Sequence, residues 1–493
     1  LQNEVQRILR LQAAPGLNKI QPTLTPSSIV IRNFSMPASA PVSPDEIRKG
    51  FSKAMSEMYR EEVPLYGALM ELVAQVNAQA LEADPVLAQQ LQRTGEIQRL
   101  DMERHGAIRL GTAAELATIR RLFAVMGMQP VGYYDLTPAG VPVHSTAFRA
   151  VHESALQASP FRVFTSLLRL ELIENPELRV FAETALAKRS IFTQGALALI
   201  EQAERDGGLN AADADEFIRQ ALETFRWHHT ATVTAAQYRQ LSDQHRLIAD
   251  VVAFKGPHIN HLTPRTLDID QVQAAMPGKG ITPKAVIEGP PRRQCPILLR
   301  QTSFKALDEP IAFTDAQGSH SARFGEIEHR GVALTPKGRA LYDRLLNAAR
   351  DELGAFPNES NAARYTQLMA QHFQAFPDNY THMREQGLAY FRYFATHTGM
   401  AARGQADQPR TLPALIDAGH IDVEPLVYED FLPVSAAGIF QSNLGDAAQS
   451  HYAANSNQAE FEQALGSPTL DELKLYAETQ QRSMEECLRV LLA

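Results

Sequence analysis

Two cysteines, Cys295 and Cys487, are all that this chain of 493 residues contains. So few exclude a disulfide framework and a thiolate metal cluster, and they fit a reducing compartment. Neither has a base nearby in sequence, which argues against thiol nucleophilic catalysis. No run of 18 apolar residues occurs, so no spanning helix is expected. A phosphate-cradling glycine loop is also missing, because Pro277-Gly278-Lys279-Gly280 is too short and reads as a turn. No long block of acidic residues occurs. The formal charge is −9 with dispersed acids, which excludes a nucleic-acid footprint and a basic membrane surface. The local cluster of Arg292, Arg293 and Arg300 reads as anion-handling or fold-supporting.

Hydrophobic residues make up 44% and charged ones 21%, enough to bury a large core without staples. Residues 1–35 are rich in Gln, Pro, Thr and Ser and are set aside as an extension outside the fold. Residues 36–493 are expected to form a single catalytic domain. Ser43-Pro44-Asp45-Glu46 is a helix start, interrupted at Val63-Pro64. Ala107–Leu110 reads as a strand, and Thr112-Ala113-Ala114-Glu115 as a capping box that opens the next helix. Residues 130–150 suggest a hairpin turning near Pro138-Ala139-Gly140. The stretch 160–250 is strongly helical, with a helical insertion at about 155–245, and 248–254 returns to strand-like composition. Sheet and loop are expected over 286–327, helix over 337–349 and most of 360–397, and a final helix from Ser467-Pro468. Alternating strands and helices predict an α+β fold.

Three distant segments offer two histidines and a carboxylate to one divalent metal: Glu103–Arg109, His258–Arg265 and Arg323–Glu328. Two neutral imidazoles and one carboxylate would leave a ferrous ion about half its coordination sphere for a chelating oxoacid and dioxygen. No sequential metal motif is present, so the fold must bring the segments together. On a strand, His105 and Arg109 share a face roughly 13 Å apart, a distance an extended arginine largely spans. The guanidinium would then grip an anionic substrate near the metal. His258 and His261 are three apart and cannot both chelate comfortably from a strand, so one is a ligand and the other structural. Glu326 and Glu328 share a face, and only Gly325, which permits close backbone approach, favours Glu326. His144 could orient a substrate but reads better as structural. The His228-His229 pair is expected on the surface of a helical block.

Across about 36–490 the sequence resembles the bacterial 2-oxoadipate dioxygenase/decarboxylase family, also called 2-hydroxyglutarate synthase. The resemblance lies in Glu103–Arg109, Gly140–Arg149, Phe161–Arg169, His258–Asp270, Ile297–Lys305, Arg323–Glu328 and Tyr428–Gly445. It implies a vicinal-oxygen-chelate type of metal-binding sheet with large helical insertions. It also implies Fe(II) held by His105, His261 and Glu326, with Glu328 a neighbour behind the ligands. Substrate contacts are implied at His105, Arg109, Val434 and Ser435. The implied reaction converts 2-oxoadipate and O2 to 2-hydroxyglutarate and CO2, in cytoplasmic lysine breakdown. The alternatives are an oxygen-independent isomerase or hydrolase of a small oxoacid and a non-catalytic oxoacid-binding protein.

Overall fold

Alternation along one short strand decides where His105 and Arg109 point. The structure, a computed structural model, describes residues 40–355, 357–405, 407–432 and 457–492. Strand β1 (Arg104–Leu110) is buried throughout. It belongs to a five-stranded sheet with β2 (Gln129–Asp135), β3 (Val143–Arg149), β4 (Phe161–Leu168) and β5 (Leu262–Pro264), in the order β2-β3-β4-β1-β5. It pairs in parallel with β4, His105 opposite Arg162, and antiparallel with β5, His105 opposite Thr263. Successive side chains of a strand point to opposite faces. Ile108 and Leu110 therefore pack into one core with Phe161 and Val163 of β4, while Ala107 packs into a second core with Phe164. His105 and Arg109 share the side of Ala107.

The first core is filled by the helices Pro44–Glu62 and Pro64–Ala83, through Phe51, Met55, Leu69 and Val73. Ser43 caps the first of them, its hydroxyl accepting from Glu46 N. Pro64 then forces a break, because the residue before a proline is pushed out of the α region, and Val63 sits at φ −128°, ψ 86°. The hairpin forms as expected, β2 and β3 flanking a turn at Thr137–Ala139 closed by Gly140 at φ 78°.

Between β4 and β5 lie the helices Pro176–Ala187, Gln194–Asp206, Ala211–Leu222, Ala235–Gln244 and Arg246–Val252. Beyond them come β6 (Leu299–Ser303), β7 (Asp308–Ala312), β8 (Gln317–Ser321) and β9 (Glu326–Arg330). β6 pairs with β9 and β7 with β8. An isolated bridge between Arg265 and Glu328, with Thr266 N donating to Glu328 O at 2.7 Å, ties β9 to the end of β5. The helix Pro336–Leu353 covers the expected 337–349, and β10 (Phe391–Ala395) pairs with β11 (Ile421–Pro425). The architecture is thus mixed α+β. Among the described residues no helix is long and apolar enough to cross a membrane.

Several local expectations are corrected. Residues 248–254 do not form a strand, because Arg246–Val252 is a helix capped by the His245 side chain. Leu247 to Val252 are all buried, and a short helix buried on every side loses the amphipathic period that would reveal it. Conversely, Phe161–Leu168 is a strand inside the stretch read as helical, and Phe391–Ala395 is another. The capping box is half formed. Thr112 accepts from Glu115 N, but the Glu115 carboxylate accepts from Gly111 N and pairs with Arg189. The last helix starts at Glu472, with Asp471 accepting from Leu473 N and Lys474 N. His228 and His229 lie in a non-helical connection, and His229 is exposed as expected.

Candidate metal centre

Backbone stitching brings the three distant segments together. Asn260 N donates to Ala107 O on β1 at 3.0 Å, and Phe324 N donates to Asn260 O at 3.1 Å. The Tyr59 hydroxyl lies 2.9 Å from Asn260 O and 2.7 Å from Phe324 O, clamping the junction from the first helix. Glycine makes the approach feasible at two points. A Cβ on Gly106 would lie 2.5 Å from Ile259 Cδ1 and 3.1 Å from His261 O, and one on Gly325 would lie 2.2 Å from the Phe304 ring.

His105, His261 and Glu326 converge, with one donor atom from each lying within 4.8 Å of the others. His105 Nε2 is 3.2 Å from Glu326 Oε1, and His261 Nε2 is 3.8 Å from Glu326 Oε2. Donors placed about 2.1 Å from a shared ion at right angles are about 3 Å apart, so the spacing suits adjacent ligands on one face of a metal. All three residues are buried. Glu326 Oε2 has no hydrogen-bond partner, an orphan that a cation would satisfy. Burial, together with the charges of His105 and Arg109, pushes the His261 pKa well down, which keeps its imidazole neutral. His105 differs: burial opposes its protonation, but Glu328 and Glu326 outweigh that and raise its pKa. The orphan oxygen and two imidazole nitrogens without thiolate fit a divalent, oxygen- and nitrogen-liking metal.

Glu326 and Glu328 are not equivalent. Glu328 accepts a bidentate pair from Arg330 at 2.8 and 2.7 Å and faces His105 Nδ1 at 2.9 Å, short but poorly aligned. Burial alone would raise its pKa, yet Arg330 and His105 hold it at about 2. Glu326 Oε1 accepts from Gln301 Nε2 at 2.5 Å, which leaves Oε2 to face His261.

Behind His105 lies a buried ionic cluster of Arg99, Arg162, Arg265 and Arg330 with Glu96, Glu103, Glu328 and Glu429. Glu103 accepts from Arg162 at 2.7 Å, Arg265 at 3.1 Å and Arg99 at 3.3 Å. Burial would raise its pKa, but the surrounding guanidiniums hold it well below the usual range. Glu103, Arg265, Glu328 and Arg330 flank the donors in sequence, and Arg162 is the register partner of His105, so the cluster fixes the strands that carry the site. Local spacing shows only part of it: Arg99 pairs with Glu96 and Glu103 within one helical turn and Arg330 with Glu328 along β9, but the contacts that join the segments span 59 to 330 residues. The Arg292, Arg293 and Arg300 cluster is fold-supporting. Arg300 pairs with Asp270, Arg292 with Asp268, and Arg293 donates to the carbonyls of Phe376 and Pro377.

Arg109 Nη1 donates to Asp250 Oδ2 at 2.6 Å. Asp250, His258 and His320 form a second trio with donor atoms close together. His258 therefore stands apart from the His261 site. His144, on β3, meets the rings of Phe461 and of Tyr133 on β2 edge-on, away from the donors in sequence and contacts. Val434 and Ser435 lie outside the described residues.

Residues 51–443 match the family model described as 2-oxoadipate dioxygenase/decarboxylase. The chain belongs to this family. A 2-oxoadipate dioxygenase/decarboxylase from Pseudomonas putida is 68% identical over 459 residues, covering 92% of this chain and 99% of that protein. One from Escherichia coli is 57% identical over 448 residues, 90% of this chain and 98% of its own length. The crystal structure of a Pseudomonas putida hydroxyglutarate synthase in complex with 2-oxoadipate superposes with a TM-score of 0.87 at 67% identity, covering 92% of this chain and all of that one. For a family of dioxygenases, a buried N2O donor set with an orphan carboxylate oxygen is the feature to expect.

Proposed function

We propose that this protein is an Fe(II)-dependent dioxygenase/decarboxylase that converts 2-oxoadipate and O2 to 2-hydroxyglutarate and CO2. The observation that carries this reading is the buried His105, His261 and Glu326 trio in a chain 67% identical to a synthase seen with 2-oxoadipate. His105, His261 and Glu326 are the residues assigned to hold the ion. Bound Fe(II) supplies open positions for an oxoacid chelate and the electrons that activate O2. Gln301 orients Glu326, and Glu328 orients His105 and favours a proton on its Nδ1, so that Nε2 points inward as a lone pair. Arg109 pairs with a substrate carboxylate, and a further contact at Val434-Ser435 is carried by the resemblance. The atoms balance: one carbon leaves as CO2 and both oxygens of O2 enter the five-carbon product.

The same reading makes 36–493 one catalytic domain with 1–35 outside it, working in cytoplasmic lysine breakdown. A β1-helix-β2-β3-β4 succession with β1 and β4 parallel supports a vicinal-oxygen-chelate type of sheet. The helices between β4 and β5 are its insertion.

The deciding experiment is anaerobic reconstitution with Fe(II), addition of 2-oxoadipate, then air, with oxygen uptake and product mass followed together. One O2 consumed per CO2 released is expected. Turnover without oxygen would replace this reading with a Lewis-acid isomerase or hydrolase, and binding without CO2 release would leave an oxoacid-binding protein.

A further inference from the structure

The Asp250, His258 and His320 trio resembles a second metal site only in its composition. Both Asp250 oxygens carry hydrogen-bond partners, in contrast to the orphan Glu326 Oε2. Oδ2 accepts from Arg109 Nη1 at 2.6 Å, and Oδ1 lies 2.9 Å from His320 Nε2 and 3.4 Å from His258 Nε2. The far nitrogen of His320 lies 2.7 Å from the Tyr238 hydroxyl. One assignment of protons satisfies the chain: the tyrosine donates to Nδ1, and Nε2–H donates to the carboxylate. We propose that Tyr238, His320 and Asp250 are positioning residues that aim the Arg109 guanidinium at the substrate carboxylate.

Four separate segments meet here. Asp250 comes from the helix Arg246–Val252, Tyr238 from Ala235–Gln244, His320 from β8 and His258 from the loop before His261. Asp250, His258 and His320 are each at most 4% exposed, and Arg109 is 2% exposed. The Trp227 ring stacks on His320 at 5.9 Å and 11° and meets His258 edge-on at 4.7 Å, so neither imidazole is free to turn. A long side chain held in one rotamer before substrate arrives loses less freedom on binding. The carboxylate also supplies the countercharge that lets a guanidinium stay buried beside a candidate cation site.

This inference rests on the proposed function, and the test separates the two. Asp250→Asn would leave Arg109 with a weakened countercharge in the interior, so gentler variants are preferable. His320→Phe keeps the stack on Trp227 but removes the donor, and His320→Gln restores one. In His320→Phe the Kd of 2-oxoadipate for anaerobic metal-loaded protein is expected to rise about tenfold, on the scale of a hydrogen bond to a charged group. KM should rise with it, kcat should stay within about twofold, and His320→Gln should recover most of the loss. Tyr238→Phe should act in the same direction and more weakly. In an Arg109→Ala background His320→Phe should have no further effect on Kd, as coupled residues are non-additive. Equal losses with and without Arg109, or a fall in kcat alone, would overturn the inference. If the wild type neither binds nor consumes 2-oxoadipate, the functional reading fails instead. The relay is then judged on the crystal structure of His320→Phe, where an Arg109 guanidinium unmoved from its present place would sink it.

Discussion

Glu328 Oε2 faces His105 Nδ1 at 2.9 Å, on the side of the ring away from the nitrogen that faces Glu326. Two carboxylates from one strand therefore address opposite ends of one imidazole. Glu326→Ala should abolish stoichiometric metal binding. Glu328→Gln should keep the metal but weaken its affinity roughly 10- to 100-fold, the usual cost of removing a partner behind a ligand. Anaerobic titration against a competing chelator measures both, and equal losses would contradict the assignment.

Arg109→Lys should raise the KM for 2-oxoadipate by about tenfold or more, because a point charge cannot replace a planar fork. Steady-state kinetics at low substrate test this. Turnover like the wild type would remove Arg109 from carboxylate binding.

Glu103→Gln should cost about 3–5 kcal/mol of stability, since it withdraws the countercharge that Arg99, Arg162 and Arg265 share. Denaturant unfolding with an unchanged m-value is the expected signature. A loss below about 1 kcal/mol, the worth of an exposed pair, would show that the cluster is solvated.

Burial, aided by the nearby Arg169 charge, lowers the His144 pKa to about 4. Below the unfolded value of about 6.5 the unfolded chain takes up a proton that the folded state refuses. Stability is therefore full above about pH 6.5 and falls as pH drops toward 4. At pH 5 this one residue should account for roughly 2 kcal/mol. His144→Phe should flatten the decline between pH 7 and pH 5 by about that amount, read from denaturant unfolding at each pH. An unchanged slope would show that His144 is protonated in the folded state.

The strand read at 107–110, which the structure extends back to Arg104, its helix and the following hairpin were legible because their patterns are local. A short apolar run, a capping hydroxyl at Thr112 and a turn closed by Gly140 each need only a few consecutive residues to be read. Residues 248–254 were misread as strand for the opposite reason, as uniform burial of the helix Arg246–Val252 erases the helical period. The three candidate donors could be nominated from residue type, but spacing could not choose His261 over His258 or Glu326 over Glu328. That choice depends on contacts such as His105 with Glu328 and Asp250 with His258, which arise only when β9 meets β1 and the helix Arg246–Val252 meets the loop after it. Asp250 and His320 carried no signal at all, because their partners are 141 and 70 residues away.

Trp227 is the sole tryptophan of the chain. It touches His320 and His258, with Arg323 packed 4.8 Å over its ring. All indole fluorescence of the protein thus originates beside the Asp250 carboxylate. Emission intensity and wavelength become a native optical reporter of that corner, readable without a label in the intact enzyme.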